Sequence, residues 1–188
     1  MKLNRRSKQK GMSLLEVVVA MLVIGIALAG SIAMIQSSNR YGLSAAFTSI
    51  AQQQAQTIIN QMRANNVARD TYLVYGATNK AANNEPQYNF ETLYDNNLIA
   101  QNTSNFKSKK GAACPSPCDV KQAAKQMAIN EMATWLTSLE QELPQGIGYV
   151  QKTPNENYMV YVMWKASEAK SDEEVKLKTY GIAVPFSI

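Results

Sequence analysis

The 188-residue chain predicts an α+β fold, with one long amino-terminal helix packed on a small antiparallel sheet. Three observations predict it. Val17–Ile35 is an apolar run of 19 residues without a charge. Gln36–Asn65 is polar but carries Leu43, Phe47, Ile50, Ala51, Ile58 and Met62 at spacings that place them on one helical face. Near the carboxyl end, three β-rich segments are separated by short polar links, which reads as an antiparallel meander.

Taken in order, residues 1–11 form a basic leader with no part in the fold, holding Lys2, Arg5, Arg6, Lys8 and Lys10 and no acid. At about 1.5 Å per residue the apolar run that follows spans roughly 28 Å, close to the hydrocarbon thickness of a bilayer. Its interruptions, Gly25, Gly30 and Ser31, are all tolerated in membrane helices. The run exceeds the apolar core of a secretory signal, about 7–15 residues. Glu16 stands at its edge, where a carboxylate is costly and normally has a partner. No Lys, Arg or His lies between Met12 and Ser38. The missing cation therefore comes from another chain, or from a new amino terminus made by cutting after Gly11.

The helix is expected to continue unbroken to about Asn65, with Gly42 as a plausible kink and no proline before Pro86. Its apolar stripe then holds a globular head. From Asp70 to Ala113 the chain is rich in Asn, Thr and Ser, and reads as a long, partly ordered connection with a helical turn at Glu91–Leu98. Lys107, Lys109 and Lys110 within it read as a solvated cluster. Asp119 is placed to cap a second helix, about 119–142, with Ala124, Ala128, Met132, Trp135, Leu136, Leu139 and Leu143 on its apolar face. Pro144 and Gly146 stop it. Strands are expected at 148–152, 158–166 and 176–186. In the second, Tyr158, Val160, Val162 and Trp164 alternate with Met159, Tyr161 and Met163, so both faces are apolar and the strand is central. The division is thus a leader (1–11), a long helix (12–65, membrane part 17–35) and a head (66–188).

Composition narrows the function. Net charge is +5, but the excess sits in the first eleven residues; the remainder holds 14 basic and 14 acidic side chains. The basic end is a topogenic device that keeps the amino terminus cytoplasmic. It is no argument for direct nucleic-acid binding. The chain has no His, which removes the commonest general base and metal ligand. No catalytic constellation, metal site or cofactor site is legible. Cys114 and Cys118, in Cys-Pro-Ser-Pro-Cys, lack redox-motif spacing and make a poor zinc site. An oxidising compartment favours a structural disulfide between them, the alternative being reactive or metal-bound thiols.

Gly11-Met12-Ser13-Leu14-Leu15-Glu16 resembles the signal of type IV prepilins. The resemblance implies the type IV pilin fold. It also implies cleavage after Gly11 by a prepilin peptidase and N-methylation of Met12. Glu16, fifth in the mature chain, becomes the subunit assembly contact. Met12 departs from the usual Phe. The Cys pair, the Ala-rich helix with Trp135 and Leu139, and Leu143-Pro144-x-Gly146-x-Gly148 resemble PilV-type minor pilins. That implies a subunit that primes pilus assembly at or near the tip. Its partners would be the major pilin, other minor pilins and the inner-membrane assembly platform. It would reside in the inner membrane with a periplasmic head, then in the surface pilus. A type II secretion pseudopilin and a ligand-binding tip subunit are the alternatives.

Overall fold

The computed structural model describes residues 14–74, 89–114, 116–153, 157–168 and 176–188. Helix α1 runs from Leu14 to Ala64 and is continuous through Gly42. A 3₁₀ segment, Asn66–Tyr72, follows. Then come α2 (Phe90–Tyr94), α3 (Asn97–Ser108), α4 (Val120–Glu142), β1 (Ile147–Lys152), β2 (Tyr158–Glu168) and β3 (Lys176–Phe186).

The chain divides into two compact units, Met1–Ala45 and Ala46–Ile188. In the first, the described residues are all helical, and the apolar span is wholly exposed. Ser31 lies within that span and satisfies its hydroxyl locally, donating to the Ala27 carbonyl at 2.9 Å.

The second unit is built on a three-stranded antiparallel sheet in the order β1-β2-β3. Register places Tyr149 opposite Tyr161 and Val150 opposite Val160, then Val162 opposite Ile182 and Trp164 opposite Tyr180. The outer edge of β1 is partly covered, because Leu73 bridges Val150 in parallel and the Val74 N–H donates to the Val150 carbonyl at 2.9 Å. Successive side chains of a strand point to opposite faces, so an apolar set on each face requires a layer on each. Tyr158, Val160, Val162 and Trp164 enter a core with Ala51, Ala55, Ile58 and Met62 of α1 and Met132, Leu136 and Leu139 of α4. Tyr161 and Met163 enter a second core with Val74, Leu93, Ile99 and Tyr149. The Tyr149 and Tyr161 rings stack at 4.5 Å. β2 is therefore central and buried on both sides.

Three expectations change. Within the stretch from 70 to 113, of which 75–88 lie outside the described residues, the expected single turn at 91–98 is two helices, α2 and α3. Asn89 caps the first by accepting from the Thr92 N–H at 3.2 Å, and Asn96 caps the second by accepting from the Leu98 N–H at 2.9 Å. Leu93, Ile99 and Phe106 bury and hold them in place. The lysine cluster is only partly a solvated loop: Lys109 and Lys110 are exposed in the turn after α3, but Lys107 lies in α3 and pairs with Glu140 of α4. Leu43 is not part of the packed stripe. It is 58 % exposed and precedes the compact unit, which begins at Ala46, whereas Ala51, Ile58 and Met62 are buried.

The helix-to-sheet turn is set by close approach. Gln145 adopts φ 51°, and the Lys165 N–H donates to the Pro144 carbonyl at 3.0 Å. A Cβ on Gly146 would lie 2.1 Å from the Leu139 carbonyl oxygen. One on Gly148 would lie 2.5 Å from the Trp135 ring and 2.9 Å from the Tyr161 carbonyl oxygen. The two glycines are what let α4 run directly into β1 with Trp135 and Leu139 lying over the strand.

Candidate functional site

Gly11 and Met12 lie outside the described residues. Glu16 sits in the first described turn of α1. It is exposed and has no ion pair among the described residues, and the next basic residue along the helix is Arg40. Around it Leu14, Leu15, Val18 and Val19 are all exposed. A helix that is apolar on all sides and unburied needs lipid or other apolar helices as its surroundings. A carboxylate at its start is then the one group in the span whose charge selects a partner.

Cys114 and Cys118 are joined in a disulfide with an S–S distance of 2.00 Å. It ends one residue before the α4 cap. There Asp119 Oδ1 accepts from the Gln122 N–H at 2.6 Å and the Asp119 N–H donates to Gln122 Oε1 at 3.3 Å, a reciprocal capping box. The pair therefore fixes the approach to the helix that carries Trp135.

A set of polar contacts, illegible in the sequence, ties the buried end of α1 to α4. Trp135 Nε1 donates to the Gln54 carbonyl at 2.9 Å, and Gln54 Nε2 donates to Glu142 Oε2 at 2.8 Å. Asn65 Nδ2 donates to the Ala124 carbonyl at 2.8 Å and to the Tyr72 hydroxyl at 3.2 Å, and that hydroxyl donates to Glu131. Gln54 and Asn65 are the buried polar side chains of the core. A buried amide is retained at little cost when its hydrogen bonds are made, and these are. Asn65 gave a partial signal, since it ends the helix, but nothing in the sequence names its partners.

Burial, and then the hydrogen bond to Glu131, push the Tyr72 hydroxyl well above the ordinary tyrosine range, against a smaller opposing effect of Asn65. A raised folded value means that the neutral phenol is favoured by folding. The stability it contributes is complete below the unfolded value of 10.0 and is lost as pH rises beyond it. Urea unfolding followed by tryptophan fluorescence is expected to show stability falling from pH 9 to 11, with part of that slope missing in Tyr72→Phe. Identical alkaline slopes in the two proteins would remove this role. At pH 8 the same substitution is expected to cost about 1–2 kcal/mol.

Among the described residues no group of three His, Cys, Asp or Glu is placed to hold a metal ion. Residues 6–32 match the family model described as the prokaryotic N-terminal methylation motif. No curated protein and no solved structure gives a significant match. The matched stretch contains Gly11, Met12, Glu16 and most of the apolar run. The architecture, a long amino-terminal helix with a three-stranded antiparallel sheet, fits the pilin fold. The motif and the exposed apolar helix fit membrane anchoring. The chain thus carries the amino-terminal signal of type IV pilin-like and pseudopilin proteins on a fold suited to it.

Proposed function

We propose that this chain is a minor type IV pilin of the PilV type, which helps to prime pilus assembly and enters the fibre at or near its tip. In that role it supports twitching motility, adhesion and DNA uptake. The observation that carries the reading is the methylation motif over residues 6–32 at the head of a long, exposed apolar helix. The PilV-type assignment draws on the Cys114–Cys118 pair and on Leu143-Pro144-x-Gly146-x-Gly148, whose glycines admit the tight α4–β1 turn.

The leader, residues 1–11, is removed by a prepilin peptidase between Gly11 and Met12, and Met12 is N-methylated. The head stands in the periplasm until the subunit leaves the inner membrane. There it works as a structural subunit, not a catalyst, with the major pilin, other minor pilins and the assembly platform as partners. Glu16 pairs with a mature terminal amine in the packed helical array.

Processing tests the reading at its base. Gly11→Val places a branched side chain where the peptidase takes only a bare backbone, and is expected to leave nearly all protein as full-length precursor. Mass spectrometry of the membrane fraction reads this directly. A mature chain starting at Met12 in that variant would place the cut elsewhere. Location tests the finer claim, since the wild-type protein is expected in sheared pili. Its recovery with a type II secretion pseudopilus would assign it to the pseudopilins.

A further inference from the structure

A pocket of about 420 Å³ opens on the second compact unit, lined by residues 66–71, Lys121, Lys125 and Tyr158. Its volume falls in the range of small-ligand sites. The lining carries three cations, Arg69, Lys121 and Lys125, against one carboxylate, Asp70. Lys121 and Lys125 stand one turn apart on α4, and neither has an ion pair among the described residues. Two like charges at that spacing repel, and an anion between them relieves the repulsion. Arg69 supplies the least ordinary feature. One of its terminal nitrogens donates to Asn66 Oδ1, while its Nε is shielded from solvent and has no hydrogen-bond partner. The guanidinium carries further N–H groups besides these, and an oxyanion is the acceptor that best matches them. Solvated lysines are ordinary on a surface. A concave wall that joins two of them to an arginine is not.

We propose that this pocket binds a small oxyanionic group, a phosphate or a carboxylate, held by Lys121, Lys125 and the Arg69 guanidinium. The site stands apart from the amino-terminal motif and does not depend on the pilin reading. Asp70 at the same wall selects against bulky polyanions and leaves room for a group of one or two charges. Such a group arrives either as a phosphorylated small molecule or as a carboxylate, and the two sources are separable by titration.

The experiment is isothermal titration of the full-length protein in non-ionic detergent micelles, with inorganic phosphate and with succinate. Sodium chloride at matched ionic strength is the control. At least one of the two anions is expected to bind saturably with a dissociation constant of about 1 mM. Phosphate alone assigns a phosphoryl ligand; succinate alone or with it assigns a carboxylate. Lys121→Gln with Lys125→Gln is expected to weaken binding about tenfold or more, while the unliganded melting temperature stays unchanged because both side chains are exposed. Arg69→Gln tests the guanidinium separately and is expected to weaken binding by a similar factor. The proposal is overturned if neither anion exceeds the chloride control, or if the double lysine variant binds as the wild type does.

Discussion

Glu16→Ala is expected to leave the protein inserted and processed but to reduce its amount in sheared pili by about tenfold or more. On the pilin reading, subunits stored in the bilayer are later packed helix against helix. The span Val17–Ile35 offers no cation, and among the described residues Glu16 has none beside it. On the same reading, a cut after Gly11 would create the amine that answers it, on the same chain or on a neighbour. In an array of apolar helices, removing the carboxylate strands that amine in a medium of low dielectric, which disfavours entry. The pairing also checks maturity, since an uncut subunit has no amine at the right height. The measurement is immunoblotting of membrane and sheared-pilus fractions from the same cells. Wild-type levels of the variant in pili, with piliation unchanged, would sink the idea.

Gly146→Ala is expected to destabilise the head by about 3 kcal/mol, a large part of the stability of a domain of this size. The added Cβ would meet the carbonyl oxygen and carbon of Leu139 at 2.1 and 2.8 Å. These are backbone atoms at the end of α4, so no rotamer change removes the clash. Relief requires α4 and β1 to separate, which withdraws Trp135 and Leu139 from the core. Chemical unfolding followed by tryptophan fluorescence reads the loss. Gly42→Ala is the control: a Cβ there meets nothing within 4 Å, and the change is expected to be neutral or mildly favourable to the helix. Equal stabilities for Gly146→Ala and the wild type would show that the turn has slack.

Much of this architecture is legible in the sequence because period and caps agree. The stripe Ala51, Ile58, Met62, the Asp119 cap with Gln122 three residues on, and the alternation through Tyr158–Trp164 each follow from one local rule, and the structure has all three. Helices α2 and α3 are different. Their sequence is Asn-rich and weakly periodic, and short helices of that kind are held by packing rather than propensity. A signal was nevertheless present. Two apolar faces on β2 require two covering layers, and the reading from sequence supplied one. Leu93 and Ile99 were the residues available to build the other. The contacts of Gln54, Asn65 and Tyr72 had no such signal, because their partners lie 7 to 88 residues away along the chain. At the amino terminus the motif was readable as residue types, and the family match covers the same stretch.

The core that joins α1 to the sheet draws on both Ala51 and Phe186. A chain emerging at about 5–20 residues per second needs roughly 7–27 s to travel from one to the other. Until β1 and β2 have emerged Ile58, Ile59 and Met62 have no sheet to cover them, and contacts this distant in sequence form slowly once they are possible. Whether a newly made head survives is thus a race among elongation, collapse and capture by proteases or by other unfinished chains. It is run before the finished structure has any stability to contribute.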